Sequence, residues 1–269
     1  MLRTIGCPYF RRAFGWCVPI GGLAGLIGLG GGEFRLPILI HSIGFNAKSA
    51  VPLNLTVSLV TLCFALASRS GAISLLDVLA HSPEVVGLAC GGMASAFYGA
   101  HLVQVLSNQR LVQVIGCLLA ALGALLLVEA IVPFQNAGLA PANPTVHFVA
   151  GCVIGIGIGL VSSLLGVAGG ELLIPALMFI FGADIRTAGS ASILISLCLI
   201  SAGLWRHWRL GTLPLGRGVQ RIISAMSLGS IIGAGVGGLL VAVAPVGALK
   251  LLLGCVLVAA AAKTLRTRH

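Results

Sequence analysis

Acidic residues are scarce in this chain: six Asp and Glu stand beside 16 Lys and Arg in 269 residues, and charged residues of all kinds make up 8%. Soluble domains carry about 25% charged residues, so a water-soluble fold is excluded. The polar–apolar alternation that membrane β-strands require is missing too, since the apolar runs are continuous. Eight cysteines are present without a C-x-x-C pair, which removes the usual zinc and redox spacings and makes them small hydrophobes in predicted spans. No basic run has interleaved aromatics, so the net charge of +10 does not point to nucleic acid. Walker A, H-E-x-x-H and G-x-S-x-G motifs and a Rossmann fingerprint after a strand are also missing. No catalytic set, metal site or cofactor is expected, and ATP-driven transport by this chain alone is unsupported.

What is present is apolar: 58% hydrophobic residues and a mean hydropathy of +1.11. Runs of about 20 apolar residues recur, each able to cross roughly 30 Å of hydrocarbon as a helix. They cover 14–43, 49–67, 84–106, 111–133, 146–181, 188–205, 222–243 and 247–265. The class is an all-α polytopic membrane protein. Basic residues gather at the ends of these runs: Arg3, Arg11 and Arg12; Arg206, Arg209, Arg217 and Arg221; Lys263, Arg266 and Arg268. That is the pattern of cytoplasmic loops. The N-terminal apolar run outlasts a signal-peptide core and reads as an uncleaved first span.

The chain is also duplicated. Gly28-Leu29-Gly30-Gly31-Gly32-Glu33-Phe34-Arg35-Leu36-Pro37 is echoed by Gly166-Val167-Ala168-Gly169-Gly170-Glu171-Leu172-Leu173-Ile174-Pro175, an offset of 171 − 33 = 138. The same offset pairs Gly44 with Gly182, Lys48 with Arg186, Ser58 with Ser196, and Gly116-Cys117 with Gly254-Cys255. The expected organisation is a first repeat over 1–135, a linker over 136–145 and a second repeat over 146–269, with about eight transmembrane segments in two duplicated halves. The two segments that hold Gly-Gly-Glu are too long for one crossing, because about 30 residues make a helix of about 45 Å. Each is expected to break there, inside the membrane. Broken segments that still cross once give parallel repeats; segments that fold back as hairpins give inverted repeats. Either scheme concentrates Lys and Arg inside and keeps the C-terminus cytoplasmic.

Backbone freed at a glycine break cannot face lipid and must be buried in protein or line a watery cavity. A helix that starts after the break would aim N–H groups at that cavity and favour an anion. The candidate substrate-binding residues are therefore Gly30, Gly31 and Gly32 with Asn54 and Ser58 on the following span, and Gly169 and Gly170 with Ser192 and Ser196. Asn54 and Ser58 share a helix face at a spacing of four, as do their equivalents Ser192 and Ser196. Close helix packing and hydroxyls bonded to their own helix are the structural alternatives. Glu33 and Glu171 are expensive at membrane depth and are candidates for coupling or gating. Capping the break, or pairing with Arg35, is the other reading. Arg69 and Glu129, near span ends, read as orientation or interfacial charges, and His101 as a packing residue.

These motifs resemble the TauE/SafE sulfite-exporter family. The resemblance lies in Ala24-Gly25-Leu26-Ile27-Gly28-Leu29-Gly30-Gly31-Gly32 followed by Pro37-Ile38-Leu39, and in Gly159-Leu160-Val161-Ser162-Ser163-Leu164-Leu165-Gly166-Val167-Ala168-Gly169-Gly170 followed by Pro175-Ala176-Leu177. It covers essentially the whole chain. It implies a bacterial inner-membrane, multi-pass carrier for a sulfur-containing anion (sulfite, sulfonate) or a small organic acid. Ala168 stands where the first copy has Gly30, so the halves need not bind alike. The expected function is a secondary transporter of a small anion, working by alternating access around paired glycine breaks; an anion channel on the same duplicated pore is the alternative. The expected partners are the anion and the lipid bilayer.

Overall fold

The computed structural model describes residues 7–69, 81–105, 143–183, 185–213 and 216–240, with scattered positions within 107–128 and 245–262. Most of the apolar segments 111–133 and 247–265, most of the linker 136–145, and Glu129 lie outside the described residues.

The first half contributes α1 (Cys7–Ile27), the short α2 (Gly32–Pro37), α3 (Ala47–Arg69) and α4 (Ser82–Val105). The second contributes α5 (Pro144–Leu165), the short α6 (Gly170–Pro175), α7 (Ile185–Arg209) and α8 (Arg217–Leu240). Among the described residues, α3, α4, α5, α7 and α8 are long and apolar enough to cross a membrane. α3 and α7 are the most deeply buried of these five.

Local sequence explains the helix ends. Asn143 caps α5 by accepting from the Thr145 N–H at 3.0 Å, with Pro144 at the first helical position, where its missing N–H costs nothing. Gly166 closes α5 with φ +62°, and its N–H reaches the carbonyls of Ser162 and Ser163, a left-handed stop that favours glycine. α2 and α6 each end at a proline, Pro37 and Pro175, and each widens into one π-helical turn, Ile38–Ser42 and Ala176–Ile180. A proline removes one backbone donor and crowds the preceding turn, so a change of helical register at that point has a local cause.

The halves are interleaved. α1 packs against α8 and α4 against α5. Both contacts are built on small residues that bring backbones together. Along α1 and α8, a Cβ at Gly229 would meet the Phe14 carbonyl, one at Gly233 the Val18 carbonyl, and one at Gly237 the Gly22 carbonyl. The contacts advance together, so these helices run parallel. Along α4 and α5, Gly151 lies on Glu84, Gly155 on Leu88 and Gly159 on Gly92, again in parallel. Glu84 adds a polar tie, held by His81 on its own side and by His147 of α5 at 3.3 Å.

Large apolar side chains line the outside, among them Trp16, Tyr98, Trp205, Trp208 and Leu239. That is a lipid-facing surface, with Trp and Tyr at home near its edges. Cys17 is buried, whereas Cys63, Cys90, Cys117 and Cys255 are exposed on that surface. An apolar thiol pays no penalty against lipid, which is why apolar sequence context did not separate interior from outer cysteines.

Candidate functional site

The chain between α1 and α2 and the chain between α5 and α6 meet at the centre. Gly28 and Gly31 have φ +90° and +65°, and their equivalents Gly166 and Gly169 have +62° and +80°. These left-handed positions let each chain leave one helix and enter the next without a Cβ penalty. The two passages cross where Gly30 faces Ala168, and a Cβ at Gly30 would collide with the Ala168 methyl. One at Gly32 would lie 3.0 Å from Asn54 Nδ2 and Ser58 Oγ and 3.1 Å from Val167 Cα.

Each half closes the other's helix end. Asn54 Nδ2 donates to the Gly166 carbonyl at 2.8 Å and to the Gly32 carbonyl at 2.6 Å. Its equivalent Ser192 donates to the Gly28 carbonyl at 3.0 Å and to its own helix at Gly189, 2.8 Å. Gly166 and Gly28 are equivalent under the same offset of 138, so the cross-link is reciprocal. The freed carbonyls are thus satisfied inside protein, as an apolar medium demands.

Charge gathers at this crossing. Glu33, Arg35, Asn54 and Ser58 are fully buried, and Glu171 is 1% exposed. The Glu33 and Glu171 carboxyl groups, one from each half, lie near enough for their charges to act on each other. Among the described residues, none of their four oxygens has a hydrogen-bond partner. Two carboxyl groups bond to each other only when one carries a proton.

Arg35 is the member whose neighbours the sequence does not show. Pairing with Glu33 is one reading of the sequence, yet residues two apart on a helix do not face each other. Its side chain runs to α3 and α8 instead. Nε donates to Asn54 Oδ1 at 3.3 Å, Nη1 to Thr61 Oγ1 at 2.9 Å and Ser230 Oγ at 3.0 Å, and Nη2 to Ser58 Oγ at 2.7 Å and to the Gly30 carbonyl. Burial depth carried no sequence signal, and Ser230 belongs to no motif.

The structure therefore brings together Gly30, Gly31, Gly32, Glu33, Asn54 and Ser58 with Gly169, Gly170, Glu171 and Ser192. Ser196, equivalent to Ser58, is buried with no partner for its hydroxyl among the described residues. Thr56 turns away and bonds to its own helix at Pro52, 2.9 Å. His101 is exposed. An open groove between α4 and α7, lined by Met93, Phe97, Cys198 and Trp205 among others, is apolar and suits lipid more than an anion.

The family model described as Sulfite exporter TauE/SafE matches residues 7–126 and 150–269. No curated protein and no solved structure matches the chain.

Proposed function

The chain belongs to the sulfite exporter TauE/SafE family, and on that premise we propose that it is a secondary carrier of a small anion, a sulfur-containing one or a small organic acid, rather than an enzyme. It is a multi-pass membrane protein of a transport family. The observation that carries the reading is the gathering of Glu33, Arg35, Asn54, Ser58 and Glu171, all buried, at the crossing of two duplicated helix breaks. Ionisable groups at membrane depth are costly and mark transport pathways, and carriers place their sites between broken helices of repeated halves.

Alternating access then arises from one half rocking on the other about the crossing, with Gly30, Gly31, Gly32, Asn54 and Ser58, and Gly169, Gly170, Ser192 and Ser196 around the anion's path. Glu33 and Glu171 couple or gate. The direct packing of Gly30 on Ala168 supports a closed carrier state over a continuous pore.

Inverted repeats fit the helix directions. α3 also runs parallel to α8, since Thr61 and Ser230 share Arg35 while Ser68 meets Ala234 and Gly238. α7 runs with α4, as Gly92 meets Leu199 and Phe97 meets Trp205. The link 210–216 between α7 and α8 reaches roughly 25 Å at most, whereas α8 with its 24 residues is about 36 Å long. The set α1, α3, α8 therefore runs opposite to the set α4, α5, α7. With the arginine-rich turn Arg206–Arg221 cytoplasmic, Lys48 and the C-terminus are cytoplasmic too, in a bacterial inner membrane.

Reconstituted vesicles test this. A carrier gives saturable, gradient-coupled uptake of one of sulfite, sulfate, thiosulfate, taurine, sulfoacetate or a small carboxylate. Ohmic single-channel currents would replace the carrier with a channel. Cysteine labelling at Lys48 from outside would overturn the inverted arrangement.

A further inference from the structure

Arg35 is the one Lys or Arg that is buried among the described side chains. A guanidinium has five N–H donors, and all five are taken by neutral acceptors: Gly30, Asn54, Ser58, Thr61 and Ser230. Among the described residues, the ion pairs closer than 4.0 Å are those of Glu84 with His81 and His147, and none involves Arg35. With every donor occupied, a carboxylate elsewhere in the chain has no N–H left to accept. A charge this deep without a bonded counter-ion is heavily disfavoured unless something compensates it.

The fold itself does not need that charge. The duplicate position is Leu173, fully buried. Around it Leu199 replaces Thr61 and Gly92 replaces Ser230, and a Cβ on Gly92 would meet the Leu199 side chain. The same backbone is thus built once around a cation with hydroxyls and once around leucines. What differs is the ability to hold an anion.

We propose that Arg35 is the docking cation for the transported anion, and that the site selects mono-anionic oxyanions, such as a sulfonate, a carboxylate or hydrogen sulfite, over dianions. The proposal rests on the carrier reading above. The anion's oxygens take guanidinium N–H donors in the planar fork that suits such headgroups. They replace the hydroxyl oxygens of Ser58, Thr61 and Ser230, which stand in for them in the closed state. Thr61 already bonds to its own helix at Val57, 2.7 Å, so a hydroxyl released from Arg35 has a local acceptor. Each hydroxyl can also turn its O–H toward the anion. One cation offsets one negative charge. Glu33 and Glu171 at the same crossing oppose a second, and Cys17 and Glu33 are the titratable groups whose charge acts on Arg35.

The test uses the full chain purified in detergent, with thermal shift against methanesulfonate, acetate, sulfate and thiosulfate, and counterflow of the same anions in vesicles. Wild type should be stabilised by methanesulfonate or acetate, with sulfate and thiosulfate at least about tenfold weaker. A ligand that binds only the folded state raises its melting temperature. Arg35→Lys keeps the charge but loses the fork, and should weaken binding at least about tenfold; Arg35→Gln should abolish it. Ser230→Ala and Thr61→Val, which leave the charge in place, should weaken binding severalfold and carry the test if the Arg35 variants do not fold. Binding that survives unchanged in Arg35→Lys and Ser230→Ala overturns the proposal alone. Tighter binding of the dianions overturns its charge rule. Wild type that neither binds nor exchanges any of the four sinks the carrier reading and this proposal with it.

Discussion

At one end of the 138-residue offset the third residue after Gly32 is Arg35, tied to α3 and α8 by hydrogen bonds. At the other end the third residue after Gly170 is Leu173, packed in apolar surroundings. The backbones match: the left-handed glycines, the six-residue helices, the prolines and the π-turns recur at equivalent positions. The side chains do not. Ser58 holds Arg35, while its equivalent Ser196 is buried with its hydroxyl unpartnered. The comparison separates what the crossing needs in order to fold, which both halves keep, from what one half alone carries as chemistry.

Placing a cation in the apolar half is the harshest test of that difference. Leu173→Arg puts a charge where Leu199 and Gly92 offer no acceptor, and should cost about 3–5 kcal/mol, read as a large drop in melting temperature. A small drop would mean that the two cradles are interchangeable. Next is the crossing itself. Gly30→Ala overfills the contact with Ala168 and should cost about 1–3 kcal/mol. Adding Ala168→Gly should restore most of it, because the methyl is then moved rather than gained. Failure of that rescue would mean the halves do not meet as equivalents. The reciprocal caps are unequal in a countable way. Asn54→Ala removes two N–H donors and the Oδ1 acceptor of Arg35 Nε and should cost about 2–3 kcal/mol, against about 1 kcal/mol for Ser192→Ala, which removes one O–H shared between two carbonyls; equal losses would contradict the geometry. The smallest effect belongs to Ser196→Ala, expected within about 0.5 kcal/mol, whereas Ser58→Ala removes an acceptor from a charged group and should cost about 1.5–3 kcal/mol.

The duplication was legible as one offset held along the chain, and the family model matches each half in turn. The apolar helical class was legible from continuous runs and scarce charge. Asn54, Ser58, Glu33 and Glu171 drew notice because polar groups are rare in such runs. The interleaving was not legible. Gly229, Gly233 and Gly237 show a spacing of four, but nothing in their own segment names Phe14, Val18 and Gly22 as partners some 200 residues earlier. Adjacency in sequence offers Glu33 as one partner for Arg35, while its hydrogen-bonded neighbours Thr61 and Ser230 come from two other helices. Ser192 reads from sequence as an anion ligand, and nothing in its own segment shows that its hydroxyl also closes the Gly28 carbonyl, a role set by the other half's backbone.

The reciprocal caps also bear on how the protein is made. The first half leaves the ribosome with the Gly28 carbonyl and the small-residue face of α1 lacking Ser192 and α8, and both arrive only with the second half. Until then the half-built chain holds a polar opening and a glycine stripe inside the bilayer, with water, lipid or an insertion factor as temporary company. Contacts this distant in sequence close late. A chain halted after the first half should be a substrate for membrane quality control, and the two halves made as separate polypeptides should be stable only when produced together, as an ancestral pair of subunits would have been.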